Sequence, residues 1–442
     1  MKNSNQNLWA FTASLAGFLF GFDTVVISGA NLPIKELWNT SPLFHGTFIM
    51  SMALWGTVVG SLLGSIPSQR LGRKKTLIWI GALYFISAIG SGLAPDPYTF
   101  SFFRFIGGLG VGASTVAGPM YISEISTPRN RGKLVALYQF NIVLGILIAF
   151  FSNYLLKGFD GANDWRWMLG VEGIPAAIYF AAVWFVPKSP RWLMTVKHDE
   201  ESAREVLVKM NVGDVDEEIR QINDAEQHEE QNKEPFLDKY KKPIMLAFLI
   251  AFFNQLSGIN FVLYYAPEIL EMAGLASRES LFNSIAIGGI NLVFTFAGLY
   301  LIDKTGRRQL LIIGSIGYII SLTMIAISFY AGLGSTILLA SIMAFIASHA
   351  IGQGAVIWVF IAEIFPNHVR AAGTSLGTGT HWVFAAIITL LGPVVIGLFQ
   401  ENPWPIFVIF AGMMVFQLLF ALFMMPETKG VSLEDIQKKL GL

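Results

Sequence analysis

The sequence predicts an all-α membrane protein with twelve transmembrane helices in two pseudo-symmetric six-helix bundles, and three observations carry that prediction. Of 442 residues, 54% are apolar and only 14% charged, against roughly a quarter charged in ordinary soluble domains. Twelve apolar runs each approach or exceed the roughly 20 residues needed to cross about 30 Å of hydrocarbon. One signature also occurs twice: Gly72-Arg73 and Glu124 with Arg131 return as Gly306-Arg307 and Glu363 with Arg370. The Glu-to-Arg unit repeats at the offset that separates Pro187 from Pro426. Repetition at a fixed offset implies two similar bundles around a central site.

The first bundle, 1–187, holds runs near 8–30, 44–66, 76–94, 98–122, 134–156 and 168–187. The first run lacks a basic n-region and a small-residue cleavage site, so it reads as a retained span. Within the fourth, Gly108-Leu-Gly-Val-Gly-Ala113 echoes a dinucleotide fingerprint but lacks the strand that motif requires, so close helix packing explains it better. The segment 188–242 carries ten Lys/Arg and fourteen Asp/Glu. Its Glu-rich, Pro-poor stretch from Asp199 to Lys233 reads as short surface helices of a cytosolic linker. The second bundle, 243–425, holds runs near 243–272, 279–302, 309–331, 335–362, 371–398 and 403–425, and 426–442 is a tail.

Basic residues near span ends stay in the cytosol. Alternating the loops puts twenty-five of the thirty Lys/Arg on one side with the linker and both ends of the chain, leaves Lys35, Lys157, Arg166 and Arg278 on the other, and strands Arg104 inside a span. Both termini are therefore expected in the cytosol, with the chain in the plasma (inner) membrane. Thirty basic residues balance thirty acidic ones, so charge favours no nucleic-acid partner. With no cysteine there is no disulfide or thiol chemistry. No Walker loop is present and the six histidines lack metal spacing, so neither an enzyme nor a metal or other cofactor is expected. Asn39-Thr40-Ser41 fits a glycosylation triplet, a pattern common by chance.

An ionised side chain in a span costs at least about 2.5–3.5 kcal/mol on insertion scales, so each one asks for a reason. At 1.5 Å per residue, Asp23 and Arg104 both fall roughly 9–11 Å below the outer surface, where they can pair. One reading is a static ion pair. The other is a proton site, with Arg104 favouring the ionised Asp23 in one conformation and moving away in another. Glu172 is a second candidate for proton coupling, nearer the outer end and without an obvious basic partner. Glu124 and Glu363, at the inner ends of spans four and ten, are expected to be gate braces that Arg131 and Arg370 reach, directly or across the pseudo-symmetry axis.

Five strings resemble the sugar porters of the major facilitator superfamily: Gly21-Phe-Asp-Thr-Val-Val-Ile-Ser-Gly29, Pro119-Met-Tyr-Ile-Ser-Glu124 with Arg131-Gly132, Ser189-Pro-Arg-Trp-Leu193, Gln255-Leu-Ser-Gly-Ile-Asn260 with Tyr264-Tyr265, and Pro426-Glu-Thr-Lys-Gly430. The resemblance implies that Gln139, Gln255, Asn260, Asn291 and Trp358 contact a monosaccharide, hexose or pentose, and that Tyr264 and Tyr265 close over it. Carboxamides beside an aromatic platform suit a neutral polyol, which offers donors and acceptors around a partly apolar ring. Each amide taken singly also reads as glue between helices. Asn260 and Tyr264 share a helical face. Gln255 joins them only if span seven unwinds, for which Gly258 is well placed.

Several positions depart from the family pattern. Asn254 stands where a first glutamine is usual, Ala355 replaces a proline before Trp358, and His381 replaces an amide before Trp382. There His381 hydrogen-bonds sugar, adds a titratable group, or packs as a satisfied histidine. Gln69 replaces the acid that Asp303 keeps in the second Gly-Arg loop, and Lys188 replaces a glutamate. The inner gate, built on Arg73 and Arg307, is thus expected to be weaker in the first half. Family members with aspartate at the position of Asp23 are typically proton symporters, which implies secondary active sugar uptake by alternating access in a lipid-embedded monomer. A facilitative uniporter, a drug/proton antiporter and a sugar sensor are the rival readings.

Overall fold

The computed structural model describes residues 4–127, 130–210, 213–231, 239–366, 369–431 and 433–440, and every regular element among them is helical. Span one runs unbroken from Ser4 to Leu37, past its expected end at 30. Span two is assembled from Pro42–Phe44, a π-helical turn His45–Met50, Met52–Leu63 and Ser65–Arg70. Spans three, four and five are Arg73–Leu93, Pro97–Glu124 and Arg131–Leu156. Span four starts cleanly because Asp96 caps it, accepting from the N–H of Tyr98 at 2.9 Å and of Thr99 at 3.0 Å, while Pro97 supplies a preset φ where no donor is needed. The Thr99 hydroxyl and N–H hold the Asp96 carboxyl below the usual carboxylate range.

Span six is split into Asp164–Gly170 and Gly173–Val183, with Glu172 at the break. Three short helices follow, Pro190–Thr195, Glu200–Lys209 and Val215–Gln231. Leu193, Val206, Leu207 and Ile219 of these helices are buried in the apolar cluster of the first bundle. Span seven comprises Lys241–Leu256, Ile259–Tyr264 and Ala266–Met272. Span eight is Ser277–Thr305, nine Arg307–Ala331, eleven Arg370–Leu398 and twelve Trp404–Phe423. Span ten is Ser335–His349, a π-helical turn Ala350–Gly354, and Ala355–Ile364. Among the described residues, ten stretches are long and apolar enough to cross a membrane and the bent pair in span two makes an eleventh; the two short helices of span six complete the twelve spans of the fold. The glycines of span four mark close packing. A Cβ on Gly108 would lie 1.9 Å from the Ala53 carbonyl oxygen of span two, and one on Gly112 would lie 2.3 Å from that of Thr57.

The apolar core is not uniform across the membrane. Around the ends of the spans away from the Gly-Arg turns, a single buried cluster joins both bundles, from Ile34 and Trp165 to Tyr265, Phe345 and Phe407. On the side of the Gly-Arg turns, here called the basic face, two separate clusters occur. One lies within the first bundle around Tyr121 and Leu134, the other within the second around Phe360 and Leu310. The buried core therefore joins the two bundles on the opposite face and, among the described residues, is separate in each bundle on the basic face.

Candidate functional site

Asp23 and Arg104 are each 2% exposed and form a salt bridge, Arg104 Nη1 donating to Asp23 Oδ1 at 2.5 Å and Nη2 to the Asp23 carbonyl at 3.1 Å. The pairing expected from the sequence is present. One helix boundary differs from the expected one: span one extends to Leu37, so Asp23 lies farther from its helix end than Arg104 does from Pro97. Glu172 corrects a second expectation. It does have a basic neighbour: equally buried, it interacts with both Asp23 and Arg104. The sequence missed this because span six begins at Asp164, earlier than its apolar run, which carries Glu172 deeper. Arg104 Nε and Glu172 Oε1 are buried without a partner. Two carboxyls and one guanidinium thus share a buried site, and a neutral total requires one added proton.

The break expected in span seven is present. Helix stops at Leu256 and restarts at Ile259, and Gly258 takes φ 83°, the left-handed conformation glycine alone adopts readily. This turn carries Asn260 back to Gln255, so that Asn260 Nδ2 donates to Gln255 Oε1 at 2.9 Å. Gln255 Nε2 in turn donates to Asn254 Oδ1 at 2.9 Å and lies 3.1 Å and 3.2 Å from the two ring nitrogens of His381. The Trp358 and Trp382 rings stand 5.0 Å and 4.8 Å from that imidazole. Asn291 of span eight is buried and makes no hydrogen bond among the described residues, while Gln139 of span five is half-buried. Tyr264 neighbours Thr24, Asp23 and Arg104 across the bundle interface, which brings the charged cluster beside the amides.

On the opposite face a chain of polar contacts ties the bundles together. Thr40 Oγ1 and His45 Nδ1 are 2.8 Å apart, His45 Nε2 and Asn31 Oδ1 are 2.8 Å apart, and Asn31 Nδ2 donates to Glu268 Oε2 of span seven at 2.7 Å. The Tyr265 hydroxyl donates to the Thr389 carbonyl at 2.7 Å. None of Asn31, His45 and Glu268 was singled out from the sequence. Buried polar groups within a span were the available signal.

The basic face holds two parallel braces. Arg73 Nη2 and Nε donate to Glu124 Oε1 at 2.8 Å and 3.1 Å. Arg307 Nη2 donates to Glu363 Oε1 at 2.8 Å, its Nε to Oε2 at 3.1 Å, and its Nη1 to Asp303 Oδ1 at 3.2 Å. Each brace lies within one bundle. The expectation that Arg131 and Arg370 reach the glutamates is overturned: the Gly-Arg turns supply those partners instead. Arg131 is exposed with no ion pair among the described residues, and Arg370 Nε is buried without a partner. Among the described residues, neither arginine forms an ion pair with the other half.

Residues 9–440 match the family profile described as "Sugar (and other) transporter". The chain belongs to the sugar transporter family. The transporter is 36% identical to the arabinose-proton symporter of Bacillus subtilis over 96% of this chain and 93% of that one. It is 32% identical to the D-xylose-proton symporter of Escherichia coli, with 96% and 94% covered. Among solved structures, the partially occluded inward open conformation of the xylose transporter XylE from E. coli superimposes with a TM-score of 0.86 at 31% identity, covering 97% of this chain and all of that one. The same symporter bound to 6-bromo-6-deoxy-D-glucose gives 0.83 at 30% identity, with both chains fully covered. The transporter thus has the major facilitator fold, is a multi-pass integral membrane protein, and is not an enzyme.

Proposed function

We propose that this transporter imports a monosaccharide, hexose or pentose, together with a proton by alternating access. The observation that carries the reading is the buried Asp23–Arg104–Glu172 cluster set beside uncharged amides at the bundle interface. Charge provides the proton site and the amides provide neutral recognition. The named proton symporters among its relatives support the same reading. We assign the basic face, with both termini and the linker, to the cytosol of an inner-membrane protein, by the positive-inside rule. The bundles then comprise 1–187 and 243–425, the linker 188–242 and the tail 426–442, and the molecule acts as a monomer.

In this assignment the structure stands closed to the outside and parted toward the cytosol. Asp23 is clamped to Arg104. In the outward-facing state a proton neutralises the carboxyl pair, the hold on Arg104 relaxes, and sugar binds at Gln139, Asn254, Gln255, Asn260, Asn291, Trp358, His381 and Trp382. Tyr264 couples that site to the cluster, and Tyr265 seals it from outside. The bundles then rock, the braces at Arg73–Glu124 and Arg307–Glu363 adjust, and both cargoes leave inward. The test is Asp23→Asn in proteoliposomes. Accumulation against a gradient should disappear while sugar exchange persists. Undiminished concentrative uptake would refute proton coupling, and sugar flux without alkalinisation in the unaltered protein would favour a uniporter.

A further inference from the structure

Behind the amides of span seven lies a second row of polar side chains, wholly buried and shared by spans nine, ten and twelve. Ser315, Gln353 and Gln417 are each 0% exposed. Ser315 Oγ donates to the Leu311 carbonyl at 2.7 Å, and Gln417 Nε2 donates to Ser315 Oγ at 2.8 Å. Gln353 Nε2 donates to Gln417 Oε1 at 2.8 Å and to the Ile250 carbonyl at 3.3 Å. Asn254 Nδ2 donates to Gln353 Oε1 at 3.4 Å. From Asn254 the row passes to Gln255, and from Gln255 to Asn260 and His381.

Donor and acceptor counting gives this row a direction. A main-chain carbonyl only accepts, so the single hydroxyl hydrogen of Ser315 is committed to Leu311. Ser315 then offers only lone pairs, and Gln417 must turn its NH2 toward it and its oxygen toward Gln353. Gln353 must answer with its own NH2, a choice the Ile250 carbonyl enforces a second time. Its oxygen is left for the NH2 of Asn254, and the Asn254 oxygen for the NH2 of Gln255. The remaining hydrogen of that NH2 faces the His381 ring, which must present an unprotonated nitrogen. A single flipped amide anywhere in the row would set donor against donor in a buried interior, at the cost of an unmade buried hydrogen bond.

We propose that Ser315, Gln353 and Gln417 are positioning residues that fix which way the Asn254, Gln255 and Asn260 amides point and hold His381 as a neutral imidazole. They thereby set which sugar hydroxyls are accepted. The inference rests on the sugar reading of that site. Hydroxyl discrimination by a preorganised polar site is strong because the wrong ligand leaves buried groups unpaired. An amide free to rotate discriminates far less, since it offers either atom. The row touches neither Asp23 nor Arg104, so its loss leaves proton coupling in place.

The experiment measures competition by D-glucose, D-xylose, L-arabinose and glucose analogues lacking one hydroxyl against a single labelled sugar, in proteoliposomes with and without a pH gradient. In Ser315→Ala, a one-atom deletion at the anchor, and in Gln417→Met, the spread of affinities between the preferred sugar and its worst single-deoxy analogue should narrow about tenfold. Maximal rate and gradient dependence should stay near those of the parent, and Ser315→Thr, which keeps the hydroxyl, should restore the spread. If the variants weaken every sugar by one common factor, or leave the spread unchanged, the three residues only pack and the proposal falls. If no sugar competes in the unaltered protein, the sugar reading itself fails, an outcome distinct from the first.

Discussion

The two bundles share a fold and a brace motif but bury different kinds of polar group at their centres. The first encloses Asp23, Arg104 and Glu172, a charged trio with two unpartnered atoms. The second encloses Asn254, Gln255, Asn260, Gln353 and Gln417, neutral groups joined end to end. A charge in a low-dielectric interior stays put only while its counter-charge does, so the first centre can be switched by one proton. An amide needs no counter-ion, but its two ends differ by a single atom type and its direction has to be imposed. The two halves share their Arg–Glu brace and differ in what they bury.

The comparison breaks most visibly at Arg104. Arg104→Met removes the cation from two buried carboxyls, at a cost of about 3–5 kcal/mol, whereas Asp23→Asn leaves a neutral amide and costs less. Thermal unfolding in detergent should show a large loss for Arg104→Met and substantial recovery in the Asp23→Asn/Arg104→Met double variant. Additive losses would mean that the trio is not a coupled unit. At the neutral centre the corresponding weak point is Gly258. A methyl there meets the Phe410 ring at 2.6 Å at φ 83°, and left-handed strain costs about 1–3 kcal/mol. Gly258→Ala should therefore lose most sugar affinity, by equilibrium binding, with a smaller loss of stability than Arg104→Met.

Both centres were partly legible in the sequence, for different reasons. Asp23 and Arg104 stood out because a charge in a span is costly whatever surrounds it. The bend at Gly258 followed from helical register, since Gln255 and Asn260 share no face of a straight helix. What register does not say is which helix lies opposite. Glu172 therefore lacked its partner, Arg131 was matched to a glutamate that Arg73 holds, and Gln353 and Gln417 went unnoticed. The runs of apolar residues also gave span one an end at 30 rather than Leu37. Asn31 thereby fell just outside the first span, when it is the residue that bridges His45 to Glu268.

That bridge sharpens the comparison, because it is where the two halves hold each other. Asn31→Ala strips a partner from both His45 and Glu268, worth about 1–3 kcal/mol at each buried group, and should favour the state open on the opposite face. The chain has no cysteine, and a side chain at Gly132 meets nothing within 4 Å on the basic face, so Gly132→Cys is a clean reporter. Its maleimide labelling should slow severalfold when Asn31→Ala is added. An unchanged rate would remove Asn31 from the closure.

The smallest expected effect tests why the braces differ. In the second half, Glu427 accepts from the N–H of Arg307 at 3.0 Å and of Arg308 at 3.1 Å, capping span nine. Thr428 Oγ1 donates to Glu363 Oε2 at 2.6 Å. In the first half, Lys188 occupies the matching place within electrostatic reach of Lys74, Ser189 instead caps the helix at Trp192, and Glu124 Oε2 is buried without a partner. Lys188 thus holds the position that Glu427 holds in the second half, with the Lys74 ammonium nearby donating to the Trp184 carbonyl at 2.8 Å, so no carboxylate side chain stands there to meet the N–H groups at the start of span three. Lys188→Glu should restore the cap and relieve the crowding, raising stability by about 0.5–2 kcal/mol, while Glu427→Gln should lower it by a similar amount, both read by thermal unfolding. If Lys188→Glu stabilises and transport slows, the weak first brace serves opening on the basic face. If stability does not rise, the two Gly-Arg turns are not equivalent helix starts, and the difference between the halves reaches the periphery as well.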